Sequence, residues 1–183
     1  MIPPIVLYVL VEFSIYLIVT LSLNLEVGFA GIPQFGRVLA VIAGAFAVGA
    51  IPGRIMAAIL GYPAGAEYAS YQYNYKIITA VNKILENDPL LSIALFVSSL
   101  VIAMILGAVI GYITSRPAIR LKEAYLGITL LAMGDVLMLI GWYYTPLIGG
   151  TTSIMVPDPF RWTGELRFTA AAFTILGLSL IHI

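Results

Sequence analysis

Residues 90–114 run for 25 positions without a charged side chain. A hydrocarbon core about 30 Å thick is crossed by about 20 apolar residues in helix, so this run is long enough to span a bilayer. Three runs of similar character accompany it, at 5–25, 38–60 and 124–144, and a fifth, 168–183, is only a partial span. The runs are long and continuous rather than short and alternating, which disfavours a β-barrel. Only 10% of the 183 residues are charged, against about 25% in a soluble domain. So few charges cannot cover a water-facing surface. The expected fold is all-α, a polytopic transmembrane helical bundle in the cell membrane.

Composition also removes several functions. Nine basic and nine acidic residues cancel, leaving no basic excess to neutralise phosphates, so no nucleic acid is expected as a partner. The chain has no cysteine, which excludes disulfides, thiolate metal sites and cysteine nucleophiles. Its one histidine, His182, is next to the last residue. There is no paired-histidine metal motif, no phosphate-binding Gly-x-x-x-x-Gly-Lys loop and no nucleophile elbow. Neither enzyme chemistry nor a bound cofactor is expected. The first apolar run has no basic segment before it and no clear cleavage site after it, so it reads as a span rather than a signal peptide.

Orientation follows from basic residues in short loops, which stay in the cytoplasm. The stretch SRPAIRLKE, 115–123, holds Arg116, Arg120 and Lys122 and is placed there. Segment 61–89 carries Tyr68, Tyr71, Tyr73 and Tyr75 and is expected outside, along the membrane surface, with a short helix near 76–86. Residues 145–167 share that side; Arg37 falls inside and the N-terminus outside. Pro52-Gly53-Arg54 should kink or end the second span. Small residues at spacing four (Ala45, Gly49 and Gly53; Gly107 and Gly111) suit close helix packing, within one subunit or between two.

Polar residues at hydrocarbon depth are the candidate functional groups, because a carboxylate at the bilayer centre costs at least about 2.5–3.5 kcal/mol. Tyr8, Glu12, Tyr16, Thr20 and Asn24 recur every four residues, drifting about 40° per step around a helix. Two readings fit this stripe. Glu12 is protonated or paired in interhelical hydrogen bonds, or it lines a solute pathway. Asp135, on one face with Met138 and Trp142, carries the same two readings, and Arg54 can pair with it only if the second span packs on the fourth. NLEVGFAGIPQFGR, 24–37, is either a plain turn or a broken helix in which Asn24 and Gln34 line a polar cavity.

Three blocks in order carry a family resemblance. LSLNLEVGFAGIPQFGRVLAVIAGAFAVGA, 21–50, is similar to the family pattern L-x-L-N-L-x-x-G-x-A-G-x-x-S-x-G-x-A followed by a small-residue helix. PAIRLKEAYLGITLLAMGD, 117–135, is similar to P-A-L-R-L-R-G-x-Y-L-A-I-x-T-L-G-F-G-E, and TPLIGGTTSIMVPDP, 145–159, to a glycine-rich block, L-T-G-G-x-x-G-(I/L)-x-G-I-P. The chain resembles the LivM-type permeases of branched-chain amino acid ABC importers over most of 10–159.

The resemblance implies a permease subunit that works by alternating access. It also implies partners: a second permease subunit, cytoplasmic ATPase subunits, an extracytoplasmic solute-binding protein and membrane lipid. Glu12, Asn24, Gln34 and Asp135 are the pathway candidates. Gln34 replaces the family's usual Ser, Arg37 a frequent His, Glu123 the usual Gly and Asp135 a Glu, while Ile154–Val156 blurs the glycine-rich block. These departures bear on the solute more than on the architecture. Members of the family are roughly twice this length, and the ending LSLIHI looks like translated adapter read-through, so a fragment is expected. The competing class is a non-transporting membrane scaffold or channel-like subunit.

Overall fold

The computed structural model describes residues 3–29, 31 and 36–181, which are almost entirely helical, with no strand among them. Among the described residues, four helices are long and apolar enough to cross a membrane: Ile5–Phe29, Val38–Ile59, Pro89–Arg116 and Tyr125–Tyr143.

Helix α1, Pro4–Leu23, opens with proline, whose missing N–H costs nothing in a first turn. It continues into one π-helical turn, Asn24–Phe29. The chain therefore stays helical past Asn24, and the break expected over 24–37 does not begin there. Helix α2, Arg37–Ala50, gives way at Ile51 to α3, Pro52–Ile59. This is the expected interruption, and Pro52 accounts for it: its nitrogen has no hydrogen to donate to the preceding turn.

Helix α4, Tyr71–Asn87, is longer than the short helix predicted near 76–86. It buries Asn74, Ile77, Ile78, Val81 and Leu85, one face at helical spacing. Helix α5, Pro89–Arg120, has 32 residues, about 48 Å at 1.5 Å per residue, which exceeds the hydrocarbon core. The basic stretch after Thr114 is thus largely helical instead of looped. Helix α6, Glu123–Tyr143, is followed by the single turn α7, Thr145–Ile148, and short 3-10 turns at Gly150–Thr152 and Arg161–Leu166. Helix α8, Arg167–Ile181, has 15 residues.

Two packing units result. In the first, α2 runs parallel to α6, with Gly36 against Leu130, Gly134 near Val38 and Gly141 against Phe46. Helix α5 runs against them: its Leu95 joins the cluster around Met56 and Ala57, and its Ile110 the cluster of Leu39, Leu126 and Leu130. The start of α2, the basic end of α5 and the start of α6 therefore share one end. The other end carries a cap built from α3, α4, the turn Ala66–Ala69, α7 and the turn Arg161–Leu166. In the second unit, α1 lies along α8.

The small residues divide between these settings. Gly49 and Gly53 are buried against Ile148 and Tyr68, as close packing requires, whereas Gly107 and Gly111 have nothing within 4 Å of the place a Cβ would take.

Candidate functional site

Glu12 is half-buried on α1, beside an open groove of about 700 Å³ lined by Tyr8, Val9, Glu12, Phe13 and Tyr16. All five residues belong to one helix. Along the rest of the stripe Tyr8 is 67% exposed and Tyr16 66%, and Thr20 and Asn24 are exposed as well. The Thr20 hydroxyl donates back to the Tyr16 carbonyl at 2.7 Å. The stripe is real as a surface, and α8 does not cover it.

Asn24 begins the π-helical turn. Such turns widen a helix locally and recur at functional positions. Gly28 makes room for this side chain: a Cβ there would lie 2.7 Å from Asn24 Oδ1. A helical Gly→Ala change ordinarily gains up to about 1 kcal/mol. Here the overlap should cancel that gain. Gly28→Ala is expected to leave the thermal midpoint in detergent unchanged or lower, while Gly28→Ala with Asn24→Ala recovers the increase. A rise in the single variant would show that the two side chains do not compete.

Asp135 is exposed on α6, between the buried Gly134 and the exposed Val136, and shares its outward face with Met138 and Trp142. No ion pair reaches it among the described residues. Arg54 does not serve it, although α2 does pack on α6. Gln34 lies outside the described residues. Of the other three candidates, Glu12 lies on α1, Asn24 on the π-helical turn that continues it, and Asp135 on α6.

Among the described residues, the most densely bonded polar centre is one that the sequence suggests only as a candidate partner. Arg54 follows the Pro52 break and donates through Nη1 to the Ala50 carbonyl at 2.6 Å and the Leu147 carbonyl at 3.1 Å. Its Nη2 donates to the Pro146 carbonyl. The guanidinium also lies 4.9 Å from the centre of the Tyr68 ring, a cation–π distance. Carbonyls at helix ends lack intrahelical donors, and Arg54 supplies them for the break and for α7 together.

Tyr68 was grouped with headgroup tyrosines by composition. It is instead fully buried, at 0% exposure, while Tyr71, Tyr73 and Tyr75 are exposed. Its hydroxyl is buried without a hydrogen bond of proper geometry. Burial pushes the phenol up from its ordinary value, and Arg54 and the Asn74 side chain pull the other way. Asn74 clamps the chain opposite: its Oδ1 accepts from the Met155 N–H at 2.6 Å and its Nδ2 donates to the Met155 carbonyl at 3.3 Å. Asn82 Oδ1 accepts from the Asp158 N–H at 2.9 Å. These bonds tie segment 145–158 onto α3 and α4. The available signal was Arg54 itself, a cation inside an apolar span directly after Pro-Gly.

Helices of this kind, a kinked second span and a glycine-rich segment folded back onto it fit a transport protein, and comparison with known proteins decides the matter. Residues 5–183 match the family described as branched-chain amino acid transport system / permease component. The chain belongs to this permease family. A relative described as a probable branched-chain amino acid transport permease protein LivM, from Methanocaldococcus jannaschii, is 38% identical over 178 residues. The match covers 94% of this chain and 49% of the relative, so the permease chain spans about half that relative's length. No solved structure matches it.

Proposed function

We propose that this permease chain forms part of the solute conduit of an ABC importer in the plasma membrane, carrying branched-chain or related amino acids. The driving force comes from ATP hydrolysis on separate cytoplasmic ATPase subunits. A second permease subunit completes the conduit, and an extracytoplasmic binding protein delivers the solute. The chain itself performs no chemistry on the solute; two arrangements of its helices alternate access to it.

The observation that carries this reading is the stripe on α1. Glu12 and Asn24 lie on a span that is otherwise largely apolar, and no group of the described chain pairs with the Glu12 carboxylate. A polar row at hydrocarbon depth must face water or protein. Placed at a subunit boundary, it borders an aqueous path. Asp135 is assigned to the same path from the opposite unit, and Gln34 extends it from the stretch after Asn24.

Uptake of labelled leucine into vesicles holding the complete transporter tests the assignment. Glu12→Gln and Asp135→Asn are each expected to lower uptake about tenfold, the order of effect set by one lost charge-assisted hydrogen bond. Unchanged uptake in both variants would remove these residues from the path. Absence of uptake by the unsubstituted transporter, with every branched-chain amino acid tried, would favour a non-transporting scaffold.

A further inference from the structure

A second feature of the molecule is independent of the solute path. Between α5 and α6, over the floor made by Leu39 of α2, lies an apolar groove of about 320 Å³ whose walls include Ile110, Ile113, Ala132, Met133 and Val136. Its two threonines offer a polar solute no free donor. Thr114 Oγ1 donates to the Gly111 carbonyl at 3.1 Å, and Thr129 Oγ1 to the Tyr125 carbonyl at 2.8 Å. The groove is therefore fitted to hydrocarbon.

Its basic mouth decides which hydrocarbon. Ile113 and Arg120 are seven residues apart on α5, which places them about 20° apart around the helix and about 10 Å apart along it. Arg116 stands one turn beyond Ile113, its Nη2 donating to the Tyr112 hydroxyl at 2.8 Å and its guanidinium 4.9 Å from that ring's centre. Lys122 follows at the start of α6. All three side chains are exposed, and no carboxylate of the described residues pairs with any of them. From Lys122 to Val136 is 14 residues of α6, about 21 Å, the depth of one leaflet with its headgroups.

We propose that this groove is a binding site for an anionic phospholipid, one acyl chain lying between α5 and α6 and the phosphate held by Arg116, Arg120 and Lys122. Basic clusters at the membrane end of a helix crevice recognise anionic headgroups in this way. The site does not rest on the transport reading.

The test is native mass spectrometry of the protein in mild detergent with equimolar phosphatidylglycerol and phosphatidylcholine. Phosphatidylglycerol is expected to be retained about fivefold or more over phosphatidylcholine. Arg116→Gln, Arg120→Gln and Lys122→Gln together should abolish the preference. Ala132→Phe keeps every charge, and so the membrane orientation, but fills the groove; retention of both lipids should fall severalfold. Millimolar inorganic phosphate should displace neither. Equal retention of the two lipids, undiminished retention in Ala132→Phe, or displacement by phosphate would each overturn the site. So would a triple variant that loses a bound ATPase subunit yet keeps its lipid preference, since the cluster would then be a protein docking face.

Discussion

Arg54→Leu is expected to yield little folded protein. Leucine restores the hydropathy of the span but removes the donors for the carbonyls of Ala50, Pro146 and Leu147. An acceptor withdrawn from water and left without a partner costs about 1–3 kcal/mol, and the half-buried Pro146 and Leu147 carbonyls stand at the end of α7, where no helical N–H replaces the loss. The sum for these two is on the order of 2–6 kcal/mol against a total stability of about 5–15 kcal/mol. Size-exclusion profiles and thermal midpoints in detergent read the effect directly. Arg54→Lys keeps the charge but lacks the planar fork that reaches the end of α2 and α7 at once, so it should fall between the two. A midpoint for Arg54→Leu within a degree or two of the original would mean that the cap holds to α3 by its apolar contacts alone.

The apolar crossings were legible because lipid imposes one simple rule: long charge-free runs must be helical. The interruption at Pro52 was legible for an equally local reason, the missing N–H. Elements whose form depends on distant partners were not. Arg116 and Arg120 with Pro117 read as a loop, yet α5 runs on through them, because a helix can leave the hydrocarbon while long basic side chains reach the headgroups. Tyr68 was misplaced by composition, since its burial depends on the absence of a side chain at Gly53, 15 positions earlier. The glycine-rich stretch was visible as a motif, but its purpose was not. Gly149 and Gly150 adopt φ of 78° and 63°, and the turn they allow presents the α7 carbonyls to Arg54. The polar stripe on α1 was visible in the four-residue spacing, and Tyr8, Tyr16, Thr20 and Asn24 are indeed exposed, but the spacing does not say what the stripe faces. How Glu12 and Asp135 stand to one another was beyond the sequence, for α1 packs on α8 whereas α6 packs on α2.

Gly53→Ala is expected to disrupt the same junction from the opposite direction, by adding one methyl group. A Cβ at this position would overlap the Tyr68 hydroxyl and lie 2.9 Å from its ring carbon Cζ and 3.4 Å from Cδ of Pro157. Tyr68 cannot withdraw easily, because Met56, Ala57 and Ile77 fill the buried cluster around it. Overpacking of this kind costs about 1–3 kcal/mol, more than the gain of up to about 1 kcal/mol that alanine brings to a helix. The thermal midpoint should therefore fall. Tyr68→Phe should restore part of the loss, since it deletes the overlapping oxygen and, that hydroxyl having no hydrogen bond of proper geometry, sacrifices little in return. The pair also carries a pH signature. Burial raises the Tyr68 pKa, so the folded state holds its proton more tightly than the unfolded chain. Its contribution is fully present below the ordinary tyrosine value and is lost as pH rises past about 10. Above that pH the original protein should lose stability faster than Tyr68→Phe; parallel pH curves for the two would show that the phenol is hydrated in the folded protein, and that Gly53 faces open space instead of a ring.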